Sequence, residues 1–182
     1  LLWGGLETYQ TSAVCSNMYA EQKGRYRWED TDEVEQEALV GCWLYMGKKG
    51  VLRPDAWQAA PWGDEFLKKV FYERRFQDLM ACWHFVDNQF VTEEMKKKDA
   101  FWPLRPLLMK LNANFPKYWQ PDQHLSVDEM TTPFKGRHRA KQYNKDKPAK
   151  WGFKSFALCD GTGYCICLHP YHGRDEARPD DQ

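Results

Sequence analysis

The 182 residues suffice for one large domain or one and a half small ones, and 26 basic against 26 acidic side chains leave no net charge. Nine Trp, nine Tyr and ten Phe exclude a disordered chain, which is aromatic-poor, and no apolar run approaches the roughly 18 residues that a membrane-spanning helix needs. Zero charge alone argues against a nucleic-acid partner, but the distribution of charge matters more than its sum.

Residues 1–30 show no clear period and are expected to be loose or linking. A helix is expected from Thr31 or Asp32, where Asp32 and Glu35 have capping-box spacing. Val34, Ala38, Trp43 and Leu44 fit one buried stripe, and Gly47 with Gly50 ends it. After the turn-rich LRPDAWQAAPWG, a second helical stretch starts at Asp64. It carries two apolar sets, Phe66/Leu67/Val70/Phe71 and Phe76/Leu79/Met80/Trp83. VTEEMKKKDA reads as a polar connector to a third helix striped by Leu104, Leu107, Leu108 and Leu111, with Pro103 and Pro106 tolerated only in its first turn.

Near Gln123 the period changes to two. In HLSVDEMTTPF, Leu125, Val127, Glu129 and Thr131 point one way, and Ser126, Asp128 and Met130 the other. A loop, FKGRHRAKQYNKDKPAK, leads to strand-like WGFKSFALCD. Asp160-Gly161-Thr162-Gly163 then makes a hairpin turn into YCICLHPY. The fold class is therefore α+β: helices first, then three antiparallel strands whose outer edge is left bare. The chain begins LLWGGL without Met and ends in the polar RDEARPDDQ, the pattern expected of a fragment.

Three groups of residues could carry chemistry. From Lys135 to Lys154 there are eight cations (Lys135, Arg137, Arg139, Lys141, Lys145, Lys147, Lys150, Lys154) against the single anion Asp146, interleaved with Tyr143, Trp151 and Phe153. Such a segment is either a solvated charged loop or a phosphate-binding one whose aromatics stack on bases. Asp128 is either a half-exposed strand acid paired with a lysine or one ligand of a two-metal phosphoryl-transfer site, which needs further carboxylates nearby. Cys165, Cys167, His169 and His172 are spread too far along one strand for a single zinc ion without a bend, so partly buried thiols are the simpler reading. The six cysteines (Cys15, Cys42, Cys82, Cys159, Cys165, Cys167) form no CxxC pair and follow no secretory leader, as expected of reduced thiols in a cytosolic or nuclear protein.

Between residues 32 and 174 the chain resembles the piggyBac transposases and their domesticated derivatives. The resemblance rests on VGCWLYMGKKGVLRPDAWQAAPWG, on ERRFQDLMACWHFVDN, and above all on LSVDEMTTPFKGRHRAKQYNKDKPAKWGFKSFALCDGTGYCICLHPYHGR. That last stretch repeats the family order of strand acid, GR, a KP-KWG basic turn, CD-GY and Y-GR. The resemblance implies a helical dimerisation and DNA-binding region (31–122) followed by an incomplete RNase H-like catalytic domain of DDE/D type (123–182). In the complete family enzyme three aspartates bind Mg²⁺ for DNA cleavage and joining. Asp128 matches the first, as catalytic residue and metal ligand. The second and third aspartates and the zinc-binding Cys-rich domain have no counterpart in this sequence, and Asp160 occupies the family's hairpin turn. Lys135, Arg137, Arg139, Lys147, Lys150 and Lys154 are the implied DNA contacts. The implied partners are transposon-end and target DNA and a second copy of the chain, in the nucleus; the alternative is a domesticated, non-catalytic DNA- or chromatin-binding protein.

Overall fold

A computed structural model describes residues 5–59 and 61–172, so the YHGR end of the last motif lies partly outside it. The chain divides into two compact units, with the boundary between Phe90 and Val91. That differs from the expected divisions after residues 30 and 122.

The first unit begins with a correction. The segment expected to be loose contains helix α1, Leu6–Gln22. Its buried stripe is Thr8, Tyr9, Ser12, Ala13, Ser16 and Ala20, small or polar residues at helical spacing. A hydrophobic period cannot reveal such a face. Its two serines are satisfied, while the buried Thr8 hydroxyl has no hydrogen-bond partner among the described residues: the Ser12 hydroxyl donates to Gln36 Oε1 at 2.9 Å, and Ser16 Oγ accepts from the His84 N–H at 3.1 Å. Helix α2, Glu33–Lys49, starts where expected, with Asp32 accepting from the Glu35 N–H at 2.8 Å. Gly50, at φ 70°, closes it in the left-handed conformation, while Gly47 lies inside the helix. The buried face is Gln36, Leu39, Val40 and Cys42, rotated from the expected stripe; Val34 and Leu44 are exposed.

The short α3, Arg53–Ala56, precedes α4, Glu65–Val70, and α5, Glu73–Cys82. The expected single stretch breaks because Phe71 and Tyr72 are extended, which turns Phe71 into the core. There it meets Leu39, Cys42, Ala56, Leu67, Phe76 and Leu79. Arg75 pins the strap leading into α2. Its guanidinium bonds the Glu35 carboxylate at 2.7 and 2.5 Å, donates to Glu29 O at 2.8 Å, and lies over the Trp28 ring. Glu35 thus serves the clamp rather than returning to the Asp32 N–H as a capping box would have it.

In the second unit, Thr92 caps α6, Glu93–Lys98, inside the stretch expected to be a connector. Its last turn leads to an Asp99–Arg105 ion pair with contacts of 2.5 and 2.8 Å. Helix α7, Arg105–Tyr118, buries Leu107 and Asn114, half-buries Leu108 and Leu111, and leaves Leu104 exposed. The strands are β1 (Leu125–Pro133), β2 (Lys141–Tyr143), β3 (Trp151–Asp160) and β4 (Cys165–Pro170). All pairing is antiparallel through β3, giving four strands where three were expected. β1 pairs β3 along its whole length, Leu125 opposite Asp160 to Pro133 opposite Gly152. β2 and β4 pair successive parts of β3, so they share its other side end to end. Gly152 is required here: a Cβ would strike the Thr132 carbonyl oxygen.

The outer edge of β4, expected to be bare, is occupied at Leu168. Asn112 of α7 donates to Leu168 O and accepts from Leu168 N, both at 2.9 Å, replacing the bonds of a neighbouring strand. The hairpin after β3 forms as expected. Asp160 accepts from Thr162 N and Oγ1, Tyr164 N and Trp119 Nε1 at 2.9, 2.6, 3.1 and 2.5 Å. These donors, Thr162 foremost, hold its carboxyl down to about 2.

Candidate nucleic-acid interface and the Asp128 face

Strand parity sorts the candidate residues onto two faces of the sheet. Asp128 lies opposite Ala157, and Ser126, Met130, Ser155 and Cys159 share its face. Its neighbour Glu129 points the other way and pairs with Lys154 at 2.6 Å. The Lys154 ammonium also sits over the Phe156 and Tyr171 rings. The adjacent acid and the last of the expected DNA-binding cations therefore neutralise each other on the face that Asp128 does not use. Asp128 is exposed, and among the described residues its Oδ1 accepts from the Glu129 N–H alone, at 2.6 Å.

Mg²⁺ chemistry of the DDE type needs several carboxylates around two cations. Among the described residues no three His, Cys, Asp or Glu side chains are placed to hold a metal ion. One exposed carboxylate does not fit that requirement, and Cys165, Cys167, His169 and His172 form no zinc cluster either.

The basic segment divides into engaged and open cations. Arg139 donates to the carbonyls of Lys96 and Lys97, joining the loop to the end of α6. Lys147 Nζ donates to Glu129 O at 3.3 Å. With Lys154, half of the six expected phosphate contacts thus hold the fold together. Lys135, Arg137 and Lys150 are exposed, and among the described residues their side chains make no hydrogen bond or ion pair; Lys150 is tied in only through its carbonyl, which accepts from the Asn144 N–H at 2.8 Å.

Beside these open cations is a feature that the linear reading missed. The segment taken as loop contains β2, and its register places Tyr143 directly opposite Trp151. The rings are 4.9 Å apart, both more than half exposed, and Lys141 Nζ lies 5.0 Å over the Trp151 ring. The alternation Lys141-Gln142-Tyr143 carried a strand signal, too short to separate from a loop. By parity this platform shares the Asp128 face, about 20 Å along β3 from Ala157 at ~3.3 Å per residue. Between them Phe153 packs with Phe101, Phe134 and His138 and fixes the floor of the loop.

Comparison with known proteins gives this arrangement an ancestry. The family model described as Transposase IS4 matches residues 1–182. The human piggyBac transposable element-derived protein 3 is 33% identical over 162 residues, 88% of this chain and 26% of its own length. The human piggyBac transposable element-derived protein 2 is 25% identical over 171 residues, covering 90% of this chain and 28% of that protein. A cryo-EM structure of a piggyBac transposase synaptic complex with hairpin DNA superposes with a TM-score of 0.81 at 25% identity, over 98% of this chain and 39% of that one. The chain spans about a quarter of the length of the curated relatives it matches. With helices followed by an antiparallel sheet in the order of that structure, the chain belongs to the piggyBac transposase family.

Proposed function

We propose that this chain is a DNA-contacting part of a piggyBac transposase-derived protein and does not cut DNA by itself. The observation that carries the reading is the exposed Tyr143–Trp151 ring pair, with Lys141 held over it by the Gly136 carbonyl, in the same segment as the exposed cations Lys135, Arg137 and Lys150. Exposed rings flanked by unneutralised cations suit a phosphate backbone with adjacent bases. The solved relative bound to hairpin DNA supports the same partner. On this reading the complete protein cleaves and joins DNA at a Mg²⁺ site to which Asp128 contributes, acts in the nucleus, and associates as two copies through its helical segment.

The exposed, solitary Asp128 favours a second reading, a domesticated DNA- or chromatin-binding protein that retains the scaffold without the cutting activity. Both readings predict binding, and it is measurable as fluorescence anisotropy of labelled duplex and hairpin DNA over a range of salt. Affinity should fall steeply with salt, with a log–log slope that drops by about one for each of Lys135, Arg137 and Lys150 neutralised by Gln. Trp151→Ala should weaken hairpin binding by about 1–3 kcal/mol if a base stacks there. Binding indifferent to salt would sink the proposal. Mg²⁺-dependent nicking by this chain, lost in Asp128→Ala, would show that the chain cuts by itself.

A further inference from the structure

Two cysteines on the Asp128 face meet across the β3–β4 hairpin, independently of any DNA contact. Cys159 is the register partner of Cys165, just before the irregularity that offsets the rest of β4. The Asp160 N–H donates to Tyr164 O at 3.1 Å, so the Asp160 main chain faces Tyr164, whose own N–H returns to the Asp160 carboxylate. Rungs alternate, so Cys159–Cys165 is a non-hydrogen-bonded one, in which the Cα atoms stand about 4.5 Å apart and the side chains approach most closely. That spacing lies within the range a disulfide spans. Both thiols are free and half-buried. Burial, then the neighbouring Cys159 thiol, pushes the Cys165 thiol up.

Cys167 supplies an internal contrast. It has the same intermediate exposure, but the offset makes it the partner of Leu158, and parity puts it on the opposite face of the sheet. Reactivity set by exposure would treat the three thiols alike. Reactivity set by register selects one pair.

We propose that Cys159 and Cys165 form a redox-responsive dithiol that closes to a disulfide on two-electron oxidation by a peroxide, leaving Cys167 free. One thiol attacks the peroxide O–O bond, forming a sulfenic acid and releasing water. The other thiol displaces the sulfenic oxygen, which leaves as a second water. Two S–H bonds and one O–O bond are lost, and one S–S bond and two waters are gained. The closed bridge ties β4 to β3 on the rung whose β1 member is Ser126, two residues from Asp128. Oxidation therefore stiffens the hairpin that backs the Asp128 strand.

The test uses the whole chain, treated with hydrogen peroxide, blocked with iodoacetamide and digested with trypsin. The peptide from Ser155 to Arg174 carries Cys159, Cys165 and Cys167 and contains no Met or Trp to confuse its mass. It should be lighter by two hydrogens and alkylated once, at Cys167. Cleavage after Tyr164 should leave its halves joined until a reductant is added. Oxidation should also raise the melting temperature reversibly, in Cys167→Ser as in the unaltered chain but not in Cys165→Ser. If Cys165→Ser fails to fold, the peptide map of the unaltered chain still decides. Alkylation of all three thiols after oxidation, or a bridge that includes Cys167, would overturn the proposal.

Discussion

Residues 5–90 and the sheet that follows hold their side chains by different means. In the helical unit Phe76, Leu39, Leu67 and Leu79 are fully enclosed, and even polar Gln36, Ser12 and Ser16 are sealed inside and satisfied by one another and by main chain. The sheet unit encloses little: its core cluster is Ala100, Phe101 and Ala140, with Phe153 packed against them. What organises it instead is a set of side chains bonded to backbone, Asn112 on β4, Arg139 on α6 and Asp160 in the hairpin. Enclosure gives the first unit stability through apolar burial; the second fixes its shape through polar bonds and leaves β1 open. An open, polar-braced sheet suits a surface that meets a charged partner.

The contrast predicts its own largest failure. Phe76→Ala removes the largest fully enclosed side chain and should destabilise the helical unit by about 3–5 kcal/mol, read as a lower urea midpoint of helical circular dichroism. An effect below about 1 kcal/mol would mean that the core is not closed as described. Arg75→Ala comes next, at about 3 kcal/mol, because it strands the partly buried Glu35 carboxylate and frees the Glu29 carbonyl. Arg75→Lys should recover only part of this, since one ammonium cannot replace the two-pronged contact.

How much of this could be read from the residues depended on the kind of burial. Asp32 as a cap, Gly50 as a terminator, Asp160 in its turn and the alternation of β1 were all legible, because local chemistry alone dictates them. Helix α1 was not, because Ser12, Ser16 and Ala20 carry no hydrophobic period; their burial depends on Gln36 and His84 far along the chain. The α2 stripe was misplaced for the same reason, with Gln36 inside and Val34 outside. In the site, Asp128 and the basic segment were legible as residue types. Which cations were already engaged was not, since Lys154 turns to Glu129 through strand parity and Arg139 reaches α6 across the fold.

Asp160 gives the polar-braced unit a pH signature. Its carboxyl ionises near 2 when folded, against the ordinary carboxylate value of 3.8, so the folded state favours the charged form. The resulting stability is fully present above about pH 4 and is lost as pH falls through about 2. Asp160→Asn should remove this acid-dependent loss in thermal melts between pH 5 and 2, while lowering stability at neutral pH. Melting curves that shift with acid equally in both proteins would assign the effect elsewhere.

The smallest expected effect is on β1 itself. Val127 is 70% exposed, on the face opposite Asp128, and its only regular partner is Leu158 through the β1–β3 ladder. Replacing it with Thr preserves the β-branched shape and strand propensity and removes no enclosed surface, so the stability change should stay within about 0.5 kcal/mol. The same substitution at Val40, 3% exposed on the buried face of α2, would bury a hydroxyl and cost several times as much. Measuring both in one denaturant series tests the comparison directly, because each change replaces one methyl by a hydroxyl at constant shape. If Val127→Thr proved as costly as Val40→Thr, β1 would be covered in solution on its Val127 face, against the openness described for that strand.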